Sequence, residues 1–165
     1  MTRVEQRVGA RETVFTNSWR GHLRSVDRAL GQRDVDEARR AWKDAHLAAV
    51  ESFSWEGLIA TGQASLRIGD ATEGRPLAEP AARRAFFAAL YRACRENSVE
   101  GILRAAEAFD DLGDREVVEE CLGLAELQVD GEQTRRRVAD FVGRLGVSPE
   151  PANDDGAPAT AAGAA

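Results

Sequence analysis

Asp34-Val35-Asp36-Glu37-Ala38-Arg39-Arg40-Ala41-Trp42-Lys43-Asp44-Ala45 has the pattern of a capped amphipathic helix. It opens on a short acid able to accept from the free amides of a first helical turn, and Glu37 follows at the spacing of a capping box. Behind that cap Ala38, Ala41, Trp42, Ala45 and Ala49 recur at helical spacing and Phe53 extends the stripe, so one face of the segment is apolar. The Arg33-Asp34 corner also ends an earlier amphipathic stretch, and the same kind of corner recurs at Gly69-Asp70 and Gly113-Asp114. A self-similar helix-turn-helix unit of about 34 residues predicts stacked helix pairs, because one pair cannot bury its apolar face without a neighbour.

Outward from this stretch the same signals divide the chain. The first helix is predicted to start at Asn17 or Ser18 and to line up Trp19, Leu23, Val26 and Leu30. Ser54 is read as the cap of a third helix, with Leu58, Thr61, Gly62, Ser65 and Leu66 inward and Gly69 at its end. Residues 70–79 have no helical period and contain Gly74 and Pro76, which predicts an inserted loop, with Pro80 in the first turn of the next helix. Ala82, Phe86, Ala89, Leu90 and Ala93 then form a face with Phe87 and Tyr91 beside it. Asn97 or Ser98 caps a helix carrying Ile102, Ala105, Ala106 and Phe109. Asp114 caps another, carrying Val117, Val118, Cys121, Leu122, Ala125 and Leu127. A closing helix over 131–145 places Val138, Phe141, Val142 and Leu145 on one side and the run Arg135-Arg136-Arg137 on the other. The expected organisation is a charged segment over 1–15, a helical domain over 16–147 and a disordered tail over 148–165, where no large apolar residue follows Val147.

Composition narrows the function classes. With 165 residues, 43% of them hydrophobic and 30% charged, the chain suits one ordinary globular core. A net charge of -6 argues against general affinity for nucleic acid, which depends on neutralising phosphates. No apolar run approaches the length of a membrane span or a secretory signal, so the expectation is a cytoplasmic protein with no membrane partner. Cys94 and Cys121 belong to no Cys-x-x-Cys pair and are read as free buried thiols.

The residues carry a family resemblance over 19–129. The stretch Gly62-Gln-Ala-Ser-Leu-Arg-Ile-Gly69-Asp70 resembles the first-helix signature of a tetratricopeptide repeat, and the stretch from Asp34 to Ala45 is similar to its second-helix signature. Weaker copies lie at Ala82, Phe86 and Ala89, and at Ala106, Phe109 and Gly113 with Val118, Leu122 and Ala125. The departures are Val26 at a position the family keeps small, the inserted loop, and no closing proline. The resemblance implies an all-α array of antiparallel helix-turn-helix repeats, an α-solenoid of about three helix pairs with a C-terminal capping helix. A plain helical bundle satisfies the same periodicities.

On that mapping the groove lined by the first helix of each pair would bind a protein or peptide through Arg20, Asp27, Glu56, Gln63, Arg67, Arg104 and Glu107. Their mixed charges do not match the basic grip with which some members hold a terminal carboxylate, and Glu100 stands where a base would be needed. Each also reads as an ordinary solvated helix charge, paired along its own helix. Self-association of a structural helical protein, and a small-molecule-binding regulatory domain, are the rival functions. Catalysis has little behind it. His22 and His46 form no His-x-x-x-His or Glu-x-x-His set, phosphate-loop and nucleophile-elbow motifs do not occur, and Ser54 is better used as a cap. Asp110-Asp111 and Glu119-Glu120 lack the alternating ligands of a calcium loop. The expectation is therefore a non-catalytic module with no cofactor, no metal and no nucleic-acid partner.

Overall fold

The computed structural model describes the backbone over 5–145 and side chains over 18–145. Those residues form α1 (Glu5–Gly31), α2 (Val35–Glu51), α3 (Trp55–Ala71), α4 (Arg75–Arg95), α5 (Val99–Asp110), α6 (Arg115–Leu127) and α7 (Glu132–Leu145), with no strand among them. The fold is all-α. The tail expected over 148–165 lies outside the described residues.

The helices α1 to α5 each end in a tight corner with one residue in the left-handed region. At the first, the amide of Asp34 donates to the Ala29 carbonyl (2.9 Å) and that of Arg33 to Leu30 (3.0 Å). This is the double closure of a helix C-terminus, with the penultimate residue in the left-handed region. The closure recurs where Ser98 donates to Ala93 (2.9 Å) and Asp114 to Phe109 (3.0 Å). At these five corners the left-handed positions are Arg33, Phe53, Glu73 and Asn97 (φ 51° to 60°), together with Gly113 (φ 75°). The residue after each then starts the next helix. Asp34 accepts from the Glu37 amide (2.9 Å), Ser54 from Gly57 (3.0 Å) and Ser98 from Gly101 (3.1 Å). One corner therefore ends a helix and caps its successor within two residues.

Several sequence expectations are corrected by these contacts. Glu37 does not close a capping box; its carboxylate pairs with Arg40 (2.9 Å). Asp114 holds the cap position without bonding the helix amides, because its carboxylate is taken by Arg83 in a two-point ion pair (2.6 and 2.9 Å). α1 begins at Glu5, not at Asn17 or Ser18, and absorbs most of the charged segment over 1–15: Val8, Phe15 and Trp19 continue the helical spacing and no proline intervenes. The loop over 70–79 shrinks to Thr72-Glu73-Gly74. Pro76 suits the first turn of α4, and Arg75 ties that turn to Asp70 (2.9 Å) and Glu79 (3.8 Å). Pro80 then lies inside α4 rather than at its start. Phe53 and Leu127 are exposed instead of lining the core.

Consecutive helices pack on one another, and α1 also touches α3, α3 touches α5, and α5 touches α7. The inner layer is apolar and largely alanine. Ala38, Ala41, Ala45 and Ala49 are buried on α2, and Ala82, Ala85, Ala89 and Ala93 on α4, so these helices approach their neighbours closely. Phe86 and Phe109 fill the space between, fully buried and edge to face at 5.8 Å. Glycine sets the tightest approaches. A Cβ at Gly57 would lie 2.9 Å from Cβ of Ala49 and 3.1 Å from Nε1 of Trp19. A Cβ at Gly101 would lie 2.6 Å from Cβ of Ala93 and 3.0 Å from Cδ2 of Trp55. The same triad of Trp, Gly and Ala thus locks α1 to the α2/α3 corner and α3 to the α4/α5 corner.

Candidate functional site

The starts of α3 and α5 and a stretch within α1 share one pattern: Ser54-Trp55-Glu56-Gly57, Ser98-Val99-Glu100-Gly101 and Ser18-Trp19-Arg20-Gly21. Because these helices touch, the residues that follow fall on one continuous surface. A depression of about 410 Å³ is lined there by Trp19, Trp55, Glu56, Ile59, Gln63 and Arg104, with Glu100 and Glu107 at its edge. A second, of about 470 Å³, shares Glu100, Arg104 and Glu107 and continues over Arg137, Phe141 and Arg144 of α7.

Of the groove residues expected from sequence, Glu56, Gln63, Arg104 and Glu107 come together in the first depression. Asp27 and Arg67 join α1 to α3 through an exposed ion pair at 3.0 Å, away from the depression's lining. Arg20 lies over the Trp19 ring, its guanidinium carbon 4.3 Å from the ring centroid. Sequence reasoning missed Trp19, Trp55 and the α7 residues as surface formers. The repeated Ser-Trp-x-Gly sequence was the signal that would have found the tryptophans.

Charge on this surface is mostly internally matched. Arg104 reaches Glu100 (3.4 Å) and Glu107 (3.0 Å), which hold its guanidinium above the ordinary arginine value, the hydrogen bond to Glu107 being the larger cause. Arg137 binds Glu100 (2.9 Å) and Arg144 binds Glu107 (3.6 Å), so α7 is clipped to α5 by two exposed pairs. Such pairs set register more than stability. Arg135 and Arg136 both turn back to Glu132, so the first two arginines of the basic run are paired along their own helix.

A second polar cluster sits between α2 and α3. The Trp42 indole donates to the Thr61 carbonyl (2.8 Å), and His46 stacks on Trp42 (5.5 Å between centroids) with Nδ1 3.3 Å from the Thr61 hydroxyl. Burial lowers the His46 pKa, and Arg84 and Arg92 add to the effect. Arg92 donates to the carbonyls of Ala49 (3.1 Å) and Val50 (3.0 Å), closing the end of α2. Cys94 is half-buried and Cys121 buried, both free. Burial raises both thiols, Cys121 to about 12, where it is a poor nucleophile.

Among the described residues no group of three His, Cys, Asp or Glu stands close enough to hold a metal ion. No described helix is long and apolar enough to cross a membrane. Set against protein-family models, curated proteins and solved structures, the chain gives no match in any of the three.

Proposed function

We propose that the chain is a non-catalytic interaction module, a tetratricopeptide-like array of helix pairs that holds a protein or peptide segment along its odd-numbered helices. The observation that carries this reading is the pair of adjoining depressions across α3, α5 and α7, joined through Glu100, Arg104 and Glu107. Loops do not make this surface. It is displayed by helices that are themselves fixed by buried glycine and alanine contacts, which is how a rigid helical array presents a ligand face. Support for the array itself comes from the recurring corners, the contacts between odd-numbered helices and the repeated Trp-Gly-Ala lock.

The test is selection of binding peptides from a random library with the purified chain, followed by backbone NMR mapping. The expected outcome is a set of peptides whose shifts centre on Ile59, Gln63, Leu103 and Arg104, and whose binding is lost in the double variant Gln63→Arg, Arg104→Glu. Peptides that instead map to the exposed Leu47, Val50 and Tyr91 on α2 and α4 would overturn the assignment of the face.

Self-association is a second reading with its own observation. A depression of about 550 Å³ between α6 and α7 is lined by Val129, Val138, Ala139 and Val142. Leu127, at the end of α6, is 85% exposed. Light scattering of the parent beside Leu127→Glu separates this reading from a monomeric module.

A further inference from the structure

We propose that the depression beside Trp55 receives the cationic side chain of a partner polypeptide, a lysine or arginine within a basic segment. This rests on the interaction-module reading and names what that surface selects.

The molecule contains its own comparison. In α1 the residue after Trp19 is Arg20, whose guanidinium covers the indole at 4.3 Å from the ring centroid. In α3 the corresponding residue is Glu56, so a carboxylate stands where the first helix keeps its cation. Trp55 lies against Gly101, whose added Cβ would be 3.0 Å from both Cδ2 and Cε2, and it is half-buried along the depression. An indole fixed in this way is a preorganised platform for a cation.

The carboxylate beside it has the matching sign. Glu56, Glu100 and Glu107 border the depression; Glu100 and Glu107 are held by Arg104, Arg137 and Arg144, which leaves the Glu56 carboxylate to an incoming cation. Glu56 accepts the Ser54 hydroxyl (2.6 Å) and makes no ion pair among the described residues. An incoming ammonium or guanidinium would meet the Trp55 ring and the Glu56 carboxylate together, and Ile59 and Ala60 offer apolar surface for its methylene stem. The overall charge of -6 would also favour approach of a basic segment.

Titration of the full chain with blocked hexa-arginine, read by its indole N–H resonances in NMR, tests this. The three tryptophans give separate signals, assignable by single Trp→Phe variants. Saturable movement of the Trp55 signal is expected, with the Trp42 signal unmoved and no response to blocked hexa-glutamate. Glu56→Arg, which supplies a cation in cis as Arg20 does, should weaken binding about tenfold. Asp36→Asn, which changes an exposed acid on α2, should leave binding unchanged. Equal binding by the Glu56→Arg variant, or equal weakening by Asp36→Asn, would overturn the proposal and leave only diffuse charge attraction. If hexa-arginine leaves Trp55 unmoved while library-selected peptides still shift α5 and α7, cation selection fails and the interaction surface stands. If no peptide of any class shifts the odd-numbered helices, both fail.

Discussion

A methyl group at Gly62 would run into the Phe86 ring, 2.8 Å from Cδ1, whereas one at Gly21 or Gly123 would meet nothing within 4 Å. Identical Gly→Ala changes should therefore have opposite signs. Gly62→Ala is expected to lower stability by about 1 to 3 kcal/mol through overpacking, despite the better helix propensity of alanine. Gly123→Ala is expected to raise it by about 0.5 to 1 kcal/mol, and urea unfolding of the two variants beside the parent decides. Phe86→Ala should cost about 3 to 5 kcal/mol, since the ring is wholly buried. Trp42 is only half-buried, so its truncation is felt more through the freed Thr61 carbonyl. His46 gives a pH signature. Its folded pKa lies below 6.5, so the unfolded chain binds the proton more readily. The His46 contribution to stability is then complete above about pH 6.5 and declines as pH falls below that value. Urea midpoints at pH 7.5 and 5.5 should differ less in His46→Gln than in the parent.

At the scale of the helix, the corners explain which boundaries were legible. Asp34, Ser54 and Ser98 announced the starts of α2, α3 and α5, because a short polar side chain at that position has one dominant use. The start of α4 was hidden. Gly74 supplies no side-chain cap, and the two prolines suggest a break that Arg75, pairing with Asp70 and Glu79, overrides. Pro80 has no amide to donate within α4 and is exposed, so Pro80→Ala should raise the melting temperature, by an amount corresponding to about 1 to 3 kcal/mol. Glu73 turns the preceding corner at φ 53°, a conformation glycine adopts without the Cβ penalty. Glu73→Gly should add stability of about 1 kcal/mol in chemical denaturation, whereas Arg33→Pro at the first corner should be strongly destabilising.

Across the whole molecule the helices are unevenly held. α3 touches α1, α2, α4 and α5, while α7 rests on α5 and α6 through few contacts and, among the described residues, buries little beyond Val138 and Phe141. Amide exchange is expected to be slowest in α3 and fastest, among α2 to α7, in α7, and Phe141→Ala should speed α7 without altering α3. Equal protection in α3 and α7 would mean that the chain unfolds as a single unit. Much of the core was readable because apolar spacing reports directly on a helix face: Ala38, Ala45, Leu58, Phe86, Ile102, Phe109 and Val118 are all fully buried. The surface was readable in part. Exposed charges carry no periodic constraint, so Asp27 and Arg67 could not be told from Glu56 and Gln63 until the helices were placed beside one another.

The lock of Trp, Gly and Ala has a consequence for the chain's growth. Trp19 meets Gly57 beside Ala49, and Trp55 meets Gly101 beside Ala93, so the segment over 55–98 carries the glycine of one fit and the tryptophan of the next. Duplicated in tandem after Ser98, it would offer its own Gly57 to the original Trp55, and its own Trp55 to Gly101. The lengthened protein would gain one more helix pair and a second indole-and-carboxylate recess without altering either terminus, a ruler extended by a whole graduation at a time.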